Sequence, residues 1–469
     1  MPLLRRVRKV SPIQRFKKFL FPGKDREFNG KLFKLTIPMA LQQLMMTCVF
    51  LFDTIIVSGL GDEYLGASGQ AGHFTFLMWS GLFAISGAGS IYAAQYWGKD
   101  KDITGVRKAF TTTLIFGGII AIPFFIAAFF FRDNLMLILS QDNRTRELGS
   151  DYLSIVSFAY LFWFITAMFC SVLRSVGITR IPMIASGVAI VINVVMDSLI
   201  VYGFLGFPRL EIKGAALSTV VGSLVELILL IILTRKTKAP ITLSRKDFIR
   251  PDKVLLSKFT KAALPMMAKD QLWALGVTVY SICFTRLGVA QTAAYNAYSN
   301  IAEFMNIAFY SIGSSGGIMI GHVLGTGDIE KAKGYAWRLL RLILVSGLIL
   351  CPVFILLSNV FLLPFPNLSP EAIGYAHQAL IIISLVIWAR GINFTNMNGI
   401  LRSGGDIVGA AVIDIGMLWF FGVPLALVVS LWLGLPFWAM MAVIATEEVV
   451  KVGISIARVR TYKWAKKLV

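Results

Sequence analysis

The 469-residue chain is 57% hydrophobic and 15% charged, with a mean hydropathy of +0.74, which is too apolar for a water-soluble protein of this size and places it in a bilayer. Its formal charge of +20 would suit a nucleic-acid binder, but the Lys and Arg residues alternate with the apolar runs instead of clustering on one surface, so that reading is excluded. Cys48, Cys170, Cys283 and Cys351 each stand alone in an apolar run, which leaves no disulfide framework and no zinc site.

A basic tract, Arg5 to Lys18, opens the chain and is expected to lie on anionic lipid headgroups. Twelve apolar runs follow, each long enough for the roughly 20 helical residues that a hydrocarbon core requires. They cover 35–59, 69–96, 109–131, 152–173, 181–205, 214–234, 259–285, 292–322, 342–362, 373–399, 407–431 and 436–457. The first has no small-residue cleavage site and is followed by many others, so it is expected to be retained. With the amino terminus on one side, 35 of the 45 Lys and Arg fall on that side and only six opposite: Arg132, Arg144, Arg146, Arg209, Lys213 and Arg286. The positive-inside rule then predicts cytoplasmic termini in a multi-pass protein of the cell membrane.

The runs repeat. Pro38 and Pro265 are 227 residues apart, as are Gly61 and Gly288, and Gly98 and Gly325. Leu173-Arg174-Ser175 returns 228 residues later as Leu401-Arg402-Ser403. Each half therefore holds six spans. An even number makes the repeat parallel, so the halves can rock against each other. The predicted fold is an all-α membrane protein with twelve transmembrane helices in two six-helix bundles. Its parts are a basic segment 1–34, lobes 35–234 and 259–457, a basic linker 235–258 and a basic tail 458–469.

These motifs are similar to those of the multidrug and toxic compound extrusion (MATE) family, over nearly the whole chain from Leu35 to about Ala457. The resemblance is carried by Pro38, Asp53 and Gly61 in the first span and by Ala94-Gln95-Tyr96-Trp97-Gly98 closing the second. Leu173-Arg174-Ser175-Val176-Gly177 ends the fourth. Asn193-Val194-Val195-Met196-Asp197 and Gly203 follow in the fifth, Gly214-Ala215-Ala216-Leu217-Ser218-Thr219 opens the sixth, and Leu401 to Asp406 is the second-half echo. It implies a V-shaped pair of bundles that exports organic cations in exchange for H⁺ or Na⁺. It also implies an ion site formed by the first, fifth and sixth helices of the first lobe, with Thr219 as the match in the sixth.

The residues themselves point to the same place. An ionisable group at membrane depth needs a partner, water or a function. Asp53 lies in an otherwise apolar stretch, and Asn193 and Asp197, four apart, share a helix face. A sodium ion would need several oxygens, held at Asp53, Asn193 and Asp197, whereas a proton needs only one or two buried carboxylates. At the repeat offset Asp53 becomes Tyr280 and Asp197 falls near Leu425, so the coupling ion, H⁺ or Na⁺, is expected in the first lobe. Asp270, Glu303, Arg390 and Asp414 are candidates for a substrate cavity, although Asp270 beside Lys269 reads equally as an ion pair or a capped bend. Glu303, Asp414 and Glu226 could instead make interhelical bonds. Glu447 and Glu448 beside Lys451 read as a surface or local ion pair.

Small organic cations are the expected substrates and membrane lipids the expected surroundings, for a monomer without cofactor. A lipid or lipid-linked saccharide flippase of the same superfamily is the alternative, but its cavity should be rich in Arg and Lys, and only Lys261, Lys269, Arg390 and Lys451 lie within the spans. An enzyme is not expected. Gly313-Ser314-Ser315-Gly316-Gly317 matches a nucleophile-elbow pattern but lies inside an apolar span, where close helix packing explains its small residues.

Overall fold

The computed structural model describes residues 26–365 and 368–469; the tract Arg5 to Lys18 lies outside them. The first bundle contains α1 (Arg26–Ser58), α2 (Asp62–Gly98), α3 (Ile103–Phe130), the short α4 (Arg132–Leu139), α5 (Asn143–Ser175), α6 (Arg180–Ile200) and α7 (Glu211–Lys236). The second contains α8 (Lys253–Leu287), α9 (Val289–Thr326), α10 (Ile329–Leu356), the short α11 (Ser358–Leu362), α12 (Pro370–Leu401), α13 (Ile407–Trp432) and α14 (Phe437–Arg460). Twelve of these are spanning helices. Among the described residues ten are long and apolar enough, by length and composition, to cross a membrane; the other two, α8 and α14, carry Lys269 and Asp270, and Glu447, Glu448 and Lys451, in mid-helix.

Local chemistry explains where the helices start and stop. Asp102, Asp142, Asp252 and Asp328 cap α3, α5, α8 and α10 by accepting from the backbone N–H three residues on, which satisfies donors that a helix start leaves without partners. The paired glycines of the repeat break the chain at matching points. Gly61 between α1 and α2 has φ +122° and Gly288 between α8 and α9 has φ +141°, values that side-chain-bearing residues rarely adopt. The small residues of α9 pack as expected: a Cβ on Gly317 would stand 3.0 Å from the Gly399 backbone of α12. On the outer surface Ile119, Val191 and Phe420 are exposed, as suits a protein solvated by lipid. Regularity fails in α12 and α13, where π-turns occupy Thr395–Leu401, Leu418–Gly422 and Val428–Trp432; sequence periodicity does not reveal such local widening.

The linker is fastened to the first lobe. Asp247 is fully buried, lies 2.8 Å from Arg107 Nε of α3, and accepts from the Thr242 and Ser244 amides at 2.8 and 3.0 Å and from both of their hydroxyls. Burial works to raise its pKa, but the hydrogen bonds from Ser244 and Thr242 outweigh it and hold the carboxyl below the usual range. A folded-state pKa depressed in this way contributes stability above the unfolded value of about 3.9, and that contribution is lost as pH falls through the folded value. Asp247→Ala leaves Arg107 half-buried and unpaired, and should destabilise the protein by about 3 kcal/mol. An unchanged thermal unfolding midpoint in detergent would show that this anchor carries no stability.

Candidate ion-coupling site

The first lobe gathers three helices around two carboxylates. Asp53 of α1 is half-buried, while Asn193 and Asp197 on α6 are 7% and 1% exposed. With its amide oriented to satisfy both neighbours, Asn193 donates to Asp53 Oδ1 at 3.3 Å and accepts from the Thr219 backbone N–H of α7 at 3.3 Å. The Asp53 and Asp197 carboxyl groups are within hydrogen-bonding reach of each other, and the Ser218 hydroxyl donates to Asp197 Oδ1. Tyr152 of α5 is close enough to feel both acids. Gly222 lets α7 approach α6 here, since a Cβ would stand 3.1 Å from the Asn193 Cβ.

Two facing carboxylates in a low-dielectric interior cannot both stay charged without a proton or a cation between them. The carboxylate oxygens of Asp53 and Asp197 and the Ser218 hydroxyl are oxygen ligands of the kind that suits a hard monovalent ion, while Asn193 turns its amide N–H toward Asp53 and its carbonyl toward the Thr219 N–H. Among the described residues no group of three or more His, Cys, Asp or Glu converges, so this set is not that of a thiolate or imidazole metal centre.

Thr219 enters differently from expectation. Its backbone N–H, and not its hydroxyl, reaches Asn193; the hydroxyl bonds the Ala215 carbonyl of its own helix. Neighbouring Ser218 supplies the hydroxyl to Asp197. Adjacent residues on a helix point about 100° apart, and only the packed rotation of α7 decides which of the two faces the acid.

In the second lobe three of the four candidate cavity residues, Asp270, Arg390 and Asp414, are engaged in ion pairs with other buried or half-buried residues. Lys269 pairs with Asp270 at 2.9 Å and reaches Asp414 at 3.6 Å; Asp414 also pairs with Lys451 at 3.1 Å, and Lys451 with Glu447 at 2.9 Å. Tyr280, at the offset of Asp53, donates to Glu447 at 2.6 Å. Glu447 and Lys451 are therefore not at the surface: they are 4% and 5% exposed, because α14 turns them onto α8 and α13 inside the bundle. Glu448 accepts from Asn393 at 2.8 Å and pairs with Arg390 at 3.4 Å. Glu303 on α9 is exposed. Glu226 makes an interhelical bond, accepting from Ser186, which in turn accepts from Gln42 at 2.8 Å.

The lobes meet along the half of the molecule that bears the linker, through contacts that mirror one another. Gln95 of α2 donates to the Ser403 carbonyl at 2.9 Å and accepts from the Leu468 amide at 2.7 Å. His322 of α9, 227 residues after Gln95, lies in hydrogen-bond contact with the Ser175 carbonyl; Ser403 is the repeat partner of Ser175. The carboxy-terminal tail thus lies across the seam, with Trp464 fully buried.

The sequence matches the MatE family model over residues 38–199 and 265–428, together more than half of the chain, and the two matches begin at the paired prolines. The chain belongs to the MATE family. "Probable multidrug resistance protein YoeA" of Bacillus subtilis (strain 168) is 23% identical over 85% of this chain and 88% of its own length. "Multidrug export protein MepA" of Staphylococcus saprophyticus is 22% identical over 84% and 85%. Among solved structures, an outward-facing multidrug resistance MATE transporter of the MOP superfamily superimposes with TM-score 0.83 at 17% identity, over 95% of this chain and 98% of that one. A MOP superfamily transporter from Pyrococcus furiosus, described by a reversed polarity of its binding pocket, gives 0.82 at 18% over the same shares. This MATE chain thus has the twelve-helix transporter fold in two repeated bundles, in a multidrug efflux family of multi-pass membrane proteins.

Proposed function

We propose that this MATE protein exports small organic cations in exchange for H⁺ or Na⁺ taken up at Asp53, Asn193 and Asp197. The observation that carries the reading is the meeting of the Asp53 and Asp197 carboxyls inside one lobe, while in the matching region of the other lobe each of Asp270, Asp414 and Glu447 already pairs with Lys269 or Lys451. An externally supplied positive charge has a place between the two first-lobe carboxylates, whereas the acids at the matching depth of the second lobe already hold lysines. Coupling requires the site to bind its ion differently in two lobe arrangements, and the seam at Gln95 and His322 is the contact that one arrangement keeps and the other releases.

A cationic substrate is supported by Glu303, an exposed carboxylate on a spanning helix, and by the Tyr310–Phe394 ring pair, with centroids 4.3 Å apart, on α9 and α12; rings of this kind attract flat cations. The Lys and Arg distribution supports cytoplasmic termini in the cell membrane, and we assign the working unit as a monomer. The test is efflux of a fluorescent lipophilic cation from proteoliposomes under a proton gradient and, separately, a sodium gradient. Efflux that follows one gradient and not the other identifies the ion. Folded protein that moves the dye under neither would overturn the antiport reading in favour of a lipid or lipid-linked saccharide flippase.

A further inference from the structure

A groove of about 600 Å³ runs down the membrane-facing surface between α3 and α5. Its walls are Ile115, Ile119, Ile122 and Pro123 of α3 and Phe164 of α5, and its linker end is closed by Phe248. Ile115, Ile119, Ile122 and Phe248 are 45%, 62%, 48% and 52% exposed, so the slot faces hydrocarbon and is not part of the bundle core. The lid end is built rigidly. Asp247 is fixed to Arg107, the Thr111 hydroxyl donates to the Asp247 carbonyl at 3.2 Å, and Phe248 leans on Phe110.

The charges at that end do not cancel. Asp247 is taken by Arg107 and Asp252 by Lys108 at 3.3 Å. Arg245 and Lys246 on the turn that carries Asp247, and Arg250 in the segment that follows it, are exposed, and no ion pair engages them among the described residues. An apolar slot in the bilayer, capped at the membrane surface by an aromatic ring and three free cations, matches a molecule with an acyl chain and an anionic head.

We infer that this groove holds an acyl chain of one anionic phospholipid, whose phosphate is gripped by Arg245, Lys246 and Arg250. The chain alone confers little preference, because the bilayer offers every lipid the same apolar surroundings; the three cations supply the selectivity. An organic cation is the wrong occupant, since the rim repels it. The inference is independent of what the protein transports.

The test is native mass spectrometry of the full-length protein, taken from vesicles of equal phosphatidylglycerol and phosphatidylcholine and stripped progressively in detergent. Wild type should retain one phosphatidylglycerol in preference to phosphatidylcholine by roughly tenfold or more. The triple variant Arg245→Gln, Lys246→Gln, Arg250→Gln, altered only at exposed positions, should lose that preference. Gly118→Leu should lose the retained lipid itself. A Cβ at Gly118 meets Ile122 at 3.7 Å and Phe164 at 3.9 Å, ordinary contacts, so the longer side chain extends into the slot without breaking the helix pair. Equal retention of the two lipids by wild type would assign the groove to bulk lipid and overturn the proposal, as would a preference that survives in both variants.

Discussion

Asp197→Asn should reduce gradient-driven efflux about a hundredfold while leaving the protein folded. The substitution keeps the volume and an oxygen for the Ser218 hydroxyl to bond, so the α6–α7 contact persists. What it removes is one of the two negative charges that face each other at Asp53 and Asp197. A hydrogen-bonded interaction with a charged group contributes about 1.5–3 kcal/mol, and the upper end of that range corresponds to roughly a hundredfold in ion affinity. Asp53→Asn should behave alike, and the double variant should be little worse than either, because residues acting as one unit do not add. Asp414→Asn is the contrasting case. It removes the carboxylate that Lys269 and Lys451 share and leaves each buried lysine with a single acid, Asp270 and Glu447, so its main effect should be lost stability, with the ion dependence of the surviving protein unchanged. The measurement is dye efflux from proteoliposomes at matched reconstitution levels. Undiminished, still gradient-dependent efflux in Asp197→Asn and Asp53→Asn would remove the first-lobe site as the coupler and leave the family assignment intact.

The second large effect is conformational. Gly98 ends α2 where it crosses α9, and a Cβ there would collide with the His322 backbone; the repeat-related Gly325 stands against the Gln95 backbone in the same way. Neither obstacle is a side-chain tip that can turn aside. Overpacking at a tight contact typically costs about 1–3 kcal/mol, and here the clash lies between two separately packed bundles. The strain is therefore relieved most cheaply by moving the lobes apart at the linker end, with loss of the Gln95–Ser403 and His322–Ser175 hydrogen bonds. About 3 kcal/mol shifts a two-state ratio by more than a hundredfold, so Gly98→Ala should convert the population from closed to open at this face. Spin labels at exposed Lys101 and Lys331, with Cys48, Cys170, Cys283 and Cys351 replaced, should give a longer distance distribution in Gly98→Ala than in the Gly98 parent. An unchanged distribution accompanied by a lower unfolding temperature would mean that the helices absorb the clash locally and that the seam is not the moving contact.

Much of this molecule was legible without coordinates because the informative signals are local. Run length reports span number, since a hydrocarbon core admits only helices of a certain length. The constant offset of Pro38 and Pro265, and of Gly61 and Gly288, reports two copies of one bundle, and the positive φ at both glycines explains why these residues mark the repeat. Asp53 and Asp197 stood out because an acid in an apolar helix is costly wherever the helix packs.

What lay beyond the sequence depends on rotation and on distant partners. Ser218 and Thr219 are equivalent candidates until the packing of α7 turns one hydroxyl toward Asp197. Glu447 and Lys451 resemble a surface i,i+4 pair, and only the placement of α14 against α8 and α13 buries them and joins them to Tyr280 and Asp414. Gln95 and His322 occupy equivalent repeat positions but differ in residue type, so their shared role across the seam emerges only when the lobes face each other. Composition, spacing and repeat were sufficient to determine a twelve-helix, two-lobe membrane protein with an acidic pair in its first half. Tertiary structure decided which neighbours neutralise each buried charge, because that depends on helix rotation and on contacts between residues hundreds of positions apart.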